Sequence, residues 1–172
     1  VVHVSSTVAL TRAGGSDPSL PLGDVDQPYP RSKIESERRA RALQDLGHPV
    51  VTVYPGAVHG PYDPYLGDQA ARLLTVARGL LPMWPTGGML YVDVRDVAAV
   101  IAAVLEPGLG PRRYVVPGHH LDGPEYFASV SRAIGHRRMA LPLPPAVARA
   151  STRAMRTLQR VLPEWVRYPA DP

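Results

Sequence analysis

The sequence predicts an α/β fold built on a largely parallel sheet. Segments of strand character alternate with segments of helix character along the chain, which is typical of parallel sheets covered by helices. The segment Val50–Tyr54 is almost continuously apolar, as in a strand buried on both faces. The 172 residues, of which 45% are hydrophobic, suffice for one domain with a real core but not for two full-sized ones.

The chain opens in a strand at Val1–Val4, crosses a loop over Thr11–Gln27, and enters a helix over Tyr29–Leu46 that ends at Gly47. The later predicted elements are the strand Val50–Tyr54, a loop over Pro55–Asp68, a helix over Gln69–Arg78, a loop over Leu80–Gly88 with room for a short strand, a strand over Met89–Val92, a helix from Asp93 to about Leu105, a strand over Arg113–Val116, a helix over Pro124–Ile134, a short strand over Met139–Leu143 and a basic amphipathic helix over Pro144–Leu162. Ligands of such sheets bind at the carboxyl ends of the strands, so the loops after Val4, Tyr54 and Val92 are the candidates for function.

Composition excludes several classes of function. The chain has no cysteine, which rules out disulfides, thiolate metal sites and cysteine nucleophiles. It lacks an apolar run of the ~18–20 residues a membrane span needs and shows no signal peptide, so we expect a cytoplasmic protein. Although the net charge is +4, the basic residues are scattered, and we expect no nucleic-acid partner. We expect no metal site: the adjacent His119 and His120 lack further ligands at metal spacing and predict an exposed loop.

The candidate chemistry begins with Tyr29 and Lys33, the single lysine among 19 basic residues. Their i, i+4 spacing at the start of a helix places both side chains on one face. An ammonium close to a phenol favours the phenolate, so this tyrosine could act as a general acid or base. A surface pair brought together by chance is the alternative interpretation.

A cluster of hydroxyls, Ser5-Ser6-Thr7, follows the first strand at the predicted carboxyl edge of the sheet. A hydroxyl there could bind the carbonyl or alcohol oxygen of a substrate, although such clusters also serve as turns or caps. Asp96, near the start of the helix after Val92, is expected to be a helix cap.

Five ordered motifs together resemble one known family. They are Val4-Ser5-Ser6-Thr7, Tyr29-Pro30-Arg31-Ser32-Lys33, Tyr54-Pro55-Gly56-Ala57-Val58-His59-Gly60-Pro61, Tyr91-Val92-Asp93-Val94-Arg95-Asp96-Val97-Ala98 and Arg113-Tyr114-Val115-Val116. The pattern is similar to that of extended short-chain dehydrogenases/reductases, the family of the NAD-dependent epimerases and dehydratases. The Pro-Gly after Tyr54 is closer to the dihydroflavonol-reductase and hydroxysteroid-dehydrogenase branch.

The resemblance implies roles for residues that match the motifs. Tyr29 would be the catalytic acid/base, and Lys33 would bind the nicotinamide ribose and favour the ionised tyrosine. Thr7 would orient the substrate oxygen, with Ser6 as the alternative. The nicotinamide end of NAD or NADP would also meet Pro55, Gly56 and Val58. Substrate contacts are weaker expectations and comprise His59, Tyr62 and Trp84.

The resemblance also implies an organisation and a function. Residues 1–62 would be the C-terminal half of a Rossmann-type domain and residues 63–172 mainly a substrate-binding lobe, with a strand and helix at about 89–106 returning to the main sheet. The function would be NAD(P)-dependent interconversion of an alcohol and a carbonyl on a small organic substrate. Sugar-nucleotide epimerisation or dehydration is the alternative.

The family's glycine-rich dinucleotide fingerprint is absent from the sequence. We therefore expect an N-terminally truncated chain that is inactive alone. It would be a non-catalytic fragment or half of a split enzyme, completed by a companion chain, and a homodimer is a further possibility.

Overall fold

The structure, a computed structural model, describes residues 1–10, 17–25, 27–81, 83–85 and 87–143. For residues 83–85 and 142–143 it describes the backbone alone. The strands are β1 (Val2–Val4), β2 (Val51–Tyr54), β3 (Ala57–His59), β4 (Met83–Pro85), β5 (Gly88–Asp93), β6 (Arg112–Val115), β7 (His119–Asp122) and β8 (Leu141–Leu143); the helices are α1 (Pro28–Asp45), α2 (Asp68–Ala77), α3 (Val94–Ala103) and α4 (Gly123–Ile134). The predicted helix over Pro144–Leu162 lies outside the described residues.

The predicted α/β class with parallel pairing is confirmed. One sheet has the strand order β1-β2-β6, and both of its pairs are parallel, with Val4 opposite Val53 and Val53 opposite Tyr114. All four residues of β2 are buried, as expected for the central strand of a sheet covered on both faces. Because β1 and β2 run in the same direction, their carboxyl ends lie at one edge of the sheet.

A second sheet has the order β3-β5-β7, and two of its strands lie where a loop was predicted. The segment Pro55–Asp68 contains β3, and the pair His119-His120 begins β7, so both loop predictions are wrong there. These strands are only three and four residues long. The partner of β3 is β5, about 30 residues further along the chain, and a local pattern carries no information about that pairing.

Helix boundaries follow local chemistry. α1 begins with proline in its first turn, where the missing N–H is not needed, and Gly47 beyond its end has φ 81°, which suits glycine. The side chain of Asp93, not Asp96, caps α3 by accepting from the Arg95 N–H at 2.8 Å. The prediction of Asp96 as the cap is therefore wrong; it lies within the first turn, where its carboxylate faces the positive end of the helix dipole.

The chain forms two compact units, residues 1–64 with 89–120 and residues 65–88 with 121–172. The first has a valine-rich core, comprising Val51, Val53, Leu90, Val92, Val97, Val104 and Val116. In the described part of the second, α2 packs against α4 and β4 pairs with β8. Arg138 donates two hydrogen bonds to the carbonyl of Ala77 at the end of α2, at 2.9 and 2.8 Å. Among the described helices, none combines the length and apolar character needed to cross a bilayer.

Candidate functional site

The candidate site is built where β1 and β2 end. The N–H of Ser5 donates to the carbonyl of Val53 at 2.9 Å, and the N–H of Thr7 donates to the carbonyl of Pro55 at 3.0 Å. The two strands thus stay paired beyond their last residues. The hydroxyl cluster and the Pro-Gly loop, which lie far apart in sequence, are held side by side.

Both predicted hydroxyl residues are buried. Thr7 begins a 3-10 turn over Thr7–Ala9, and it is 4% exposed. Ser6, 7% exposed, caps this turn by accepting from the N–H of Val8 at 3.4 Å. The Ser6 hydroxyl therefore serves the backbone as an acceptor, which leaves the Thr7 hydroxyl as the better candidate for a substrate oxygen.

Tyr29 and Lys33 lie in the first two turns of α1, the helix that packs against this turn. The ammonium of Lys33 is 6.0 Å from the centre of the Tyr29 ring, so the i, i+4 spacing brings the two groups together as predicted. Tyr29 is 43% exposed, and Lys33 is half-buried. Within the described residues Lys33 makes no ion pair, so its charge is available to a ligand.

The three residues assigned to the nicotinamide end also have packing roles. Pro55 is buried, and its carbonyl holds Thr7. Val58 lies on β3 opposite Val92 and packs against the core. A Cβ added to Gly56 would lie 2.1 Å from the carbonyl oxygen of Leu90 on β5, so a side chain cannot fit there. The glycine is explained by close approach of two backbones, whether or not a cofactor binds.

The three weaker substrate candidates do not form a cluster in the described residues. The ring of His59 stacks on Tyr91 with 5.3 Å between centroids, which is a packing role. Tyr62 is 93% exposed and has a left-handed φ of 68°. Trp84 lies on β4, and its side chain is outside the described residues.

The structure reveals one polar cluster that the sequence did not predict. The carboxylate of Glu37 on α1 is fully buried, and Tyr54 on β2 donates to it at 2.5 Å. Arg41 donates to the same oxygen at 3.1 Å and to the Tyr54 hydroxyl at 3.3 Å, while His3 on β1 lies 3.5 Å from the other oxygen. The available signal was helical spacing, because Glu37 falls on the same buried stripe as Pro30, Ile34, Ala40 and Gln44.

The electrostatics of this cluster favour an ionised Glu37. Burial alone would raise the pKa of the carboxyl, but the nearby polar groups of His3, Tyr54, Ser5 and Arg41 outweigh burial and lower the pKa below its usual value. Burial, together with the hydrogen bond to Glu37, raises the pKa of Tyr54 to about 12. Tyr54 therefore stays a neutral donor to a charged acceptor throughout the physiological range.

A cavity of about 350 Å³ lies elsewhere in the first unit. It is lined by Pro18, Ser19, Gln44, Asp45, Pro111, Arg112 and Arg113. Gln44 and Asp45 stand at the end of α1, and Pro111, Arg112 and Arg113 stand at the start of β6, which is the amino edge of the sheet. Because parallel sheets bind ligands at the opposite edge, the cavity is not the candidate site. Across the described ranges, no three histidine, aspartate or glutamate residues cluster as metal ligands do.

The sequence was compared with protein-family models and with curated proteins. No protein-family model matches the sequence. Among curated proteins, the chain is similar to sterol demethylase protein B of Methylococcus capsulatus (strain Bath), with 29% identity over 149 residues that cover 84% of this chain and 45% of that protein. The chain thus spans about half the length of the curated relative it matches.

Solved structures agree on the fold. The protein gox2253 matches with a TM-score of 0.76 and 26% identity over 93% of this chain and 50% of its own. A nucleoside-diphosphate-sugar epimerase from Pseudomonas aeruginosa matches with a TM-score of 0.67 and 24% identity. This match covers 93% of this chain and 53% of the epimerase. A UDP-glucose 4-epimerase from Thermus thermophilus, in complex with NAD, matches with a TM-score of 0.64 and 24% identity. This match covers 84% of this chain and 51% of that epimerase. The predicted resemblance to epimerase/dehydratase proteins is confirmed, and the chain has the α/β fold of about half of such a protein.

Proposed function

We propose that this chain carries the proton-transfer half of an NAD(P)-dependent enzyme that interconverts an alcohol and a carbonyl. The observation that supports the proposal best is the position of the Lys33 ammonium, 6.0 Å from the centre of the Tyr29 ring. Both residues lie on a helix packed against the turn that begins at Thr7. The fold shared with an epimerase structure that holds NAD supports a nicotinamide cofactor.

The residues present fit one end of such a cofactor. The half-buried ammonium of Lys33, which has no ion-pair partner in the described residues, can donate to ribose hydroxyls. The pyrophosphate end has no counterpart, because the sequence lacks the glycine-rich loop that binds it. We therefore propose that activity needs a dinucleotide-binding segment in addition to these 172 residues.

The mechanism assigns each proton to a residue of this chain. The bound nicotinamide would supply or accept the hydride at the carbon of the substrate. In the direction of reduction, the Tyr29 hydroxyl gives its proton to the oxygen that becomes the alcohol, and in oxidation the phenolate takes it back. Lys33 stabilises the phenolate by its charge, and the Thr7 hydroxyl orients the substrate oxygen.

A sugar-nucleotide epimerase or dehydratase is the second candidate, and the shared fold supports it as well as the first. Solved structures of an epimerase and of a dTDP-glucose 4,6-dehydratase share the fold. For the first candidate, the curated relative is named a sterol demethylase, which favours an apolar alcohol or ketone. The absence of asparagine from the whole chain and the Tyr54-Pro55-Gly56 segment favour the same branch.

The two candidates differ in redox balance. An alcohol dehydrogenation releases one NAD(P)H per substrate oxidised, whereas an epimerisation is redox-neutral and releases none. We would fuse the chain in frame to a dinucleotide-binding half and assay it at 340 nm with NAD⁺ or NADP⁺ and a hydroxysteroid. A parallel reaction would contain UDP-glucose, with the sugar products separated. Stoichiometric NAD(P)H supports the first candidate, and a new sugar without NAD(P)H supports the second.

A non-catalytic fragment is the remaining interpretation, and titration separates it. β1 pairs with β2 on one side, and its other edge has no partner strand within the described residues, which leaves room for a further strand. We expect the isolated chain to bind NAD(P)H weakly and the fused protein to bind it tightly, as followed by NADH fluorescence. Tight binding by the isolated chain would contradict the requirement for a second half.

A further inference from the structure

We infer that Glu37 is a positioning residue, whose buried carboxylate fixes Lys33 and Tyr29 relative to the ends of β1 and β2. The inference rests on the proposed function, because it names what holds that site together. Glu37 touches neither substrate nor cofactor in this account, and it acts only through the helix that carries the pair.

The carboxylate of Glu37 joins three elements of the fold. Tyr54 reaches it from β2 at 2.5 Å, Arg41 from the next turn of α1 at 3.1 Å, and His3 from β1 at 3.5 Å. Arg41 extends the connection to the carbonyl of Leu20 at 3.1 Å. One side chain therefore connects α1 to the two strands whose ends form the candidate site.

The position of Glu37 along α1 relates it to Lys33 and Tyr29. Lys33 lies four residues before Glu37, and Tyr29 four before that, so the three follow one ridge of the helix at about 6 Å per step. The strands that meet Glu37 continue directly to Thr7 and Pro55. Because a helix moves as a rigid rod, a shift or rotation at Glu37 is passed to Lys33 and Tyr29.

The contribution of the buried Glu37 cluster to the stability of the fold also bears on its role. Burying an ionised carboxylate is costly, and a buried ionic cluster often stabilises a fold no better than apolar side chains of similar volume. Such a cluster is directional, however, because the hydrogen bonds from Tyr54 and Arg41 to one carboxylate oxygen form in one arrangement only. Precise placement of α1 against the strands is what this cluster supplies beyond packing.

The test uses the single lysine of the chain as a probe. Reductive methylation with ¹³C-formaldehyde labels the ε-amine of Lys33 and the α-amine of Val1, and the methyl resonance of Lys33 reports on the nearby Tyr29 ring. The variants are Glu37→Gln, which removes the charge at constant shape, and Glu35→Gln as the matched control. Glu35 lies on the exposed face of α1 and pairs with Arg38 and Arg39.

We expect Glu37→Gln to move the Lys33 resonance toward its position in an unfolded peptide while the far-ultraviolet circular dichroism is retained. Glu35→Gln should leave it in place. If Glu37→Gln fails to fold, the same measurement is made on Tyr54→Phe, which removes the shortest hydrogen bond to the carboxylate and the one that the Tyr54 hydroxyl accepts from Arg41. An unchanged Lys33 resonance in the folded variant would overturn the inference.

Kinetics of the fused enzyme separate this inference from the proposed function. We expect Glu37→Gln to lower kcat by roughly 10- to 100-fold, the cost of misplacing a reacting group by about 1 Å, and to move the pH profile of kcat/KM to higher pH. The KM for cofactor should change much less. A Tyr29→Phe variant that keeps full activity refutes the proposed function. Loss of activity in Tyr29→Phe, with normal kcat and pH profile in Glu37→Gln, refutes only the positioning role.

Discussion

Replacing Gly56 by alanine tests whether the loop after β2 is specified by packing against β5. The new Cβ would lie 2.1 Å from the Leu90 carbonyl oxygen and 2.9 Å from its carbon. To reach 3.0 Å, the closest approach real Cβ atoms tolerate, the two backbones must separate by about 0.9 Å. The neighbour is main chain within a sheet, so it cannot turn aside as a flexible side chain would.

The cost follows from this displacement. Overpacking of a filled interior costs about 1–3 kcal/mol, and a clash with backbone belongs at the upper end. For a chain of this size, a loss of about 3 kcal/mol lowers Tm by roughly 6–12 °C. Differential scanning fluorimetry of the Gly56→Ala chain measures the shift directly.

Gly23→Ala is the matched control. Its Cβ would lie 3.4 Å from the Leu10 carbonyl oxygen and 3.5 Å from the Ile34 side chain, which are ordinary contacts. We expect this variant to keep its Tm or to gain slightly, since alanine reduces the entropy of the unfolded chain. If Gly56→Ala unfolds at the same temperature as the parent but binds cofactor poorly in the fused enzyme, the packing argument is refuted and contact with the cofactor explains the glycine.

Three further predictions concern single contacts. Because the pKa of Tyr54 is raised to about 12 in the fold, the protein should be destabilised as pH rises from 10 to 12, and absorbance at 295 nm should show a late ionisation from Tyr54 and from Tyr126, whose pKa is raised by burial. Asp122→Ala removes the reciprocal capping of α4, in which Asp122 and Glu125 each accept from the other's N–H at 2.9 Å, and should cost about 0.5–2 kcal/mol in urea unfolding. Arg138→Met removes both hydrogen bonds to Ala77 and should cost about 1 kcal/mol by the same measurement.

Each of these has a control and a contrary result. Tyr54→Phe should reduce the late ionisation by one tyrosine and leave that of Tyr126, and an undiminished late ionisation would mean that Tyr54 does not contribute to it. Glu106→Ala, at an exposed turn, should be neutral beside Asp122→Ala. Arg137→Met, at the exposed neighbouring position, should be neutral beside Arg138→Met. Equal stabilities within either pair would mean that the contact contributes nothing.

Much of the fold could be predicted because it follows local patterns. The apolar run Val50–Tyr54 predicted the central strand, and helix formers between Tyr29 and Gly47 predicted α1. The candidate pair followed from helical geometry alone, since residues four apart lie on one face. Parallel pairing then brought Thr7 and Pro55 together, as expected from strands that end at one edge.

What the sequence could not predict depends on distant contacts. β3 consists of three residues in a segment rich in glycine and proline, and it is a strand because β5 lies beside it. Glu35 and Glu37 look alike in a charged stretch of helix, yet one is exposed and the other is fully buried. Helical spacing places Glu37 on the buried stripe of α1, but its tertiary partners, a tyrosine from β2 and a histidine from β1, do not follow from that spacing.

Proton transfer by Tyr29 can be separated from cofactor binding by Tyr29. In the enzyme completed by a dinucleotide-binding half, kcat and the Kd for NADH are compared between the parent and Tyr29→Phe. We expect Tyr29→Phe to lower kcat by about 10²- to 10⁴-fold, the usual contribution of a general acid or base, with the Kd nearly unchanged. A Tyr29→Phe enzyme that turns over at the parental rate would contradict it.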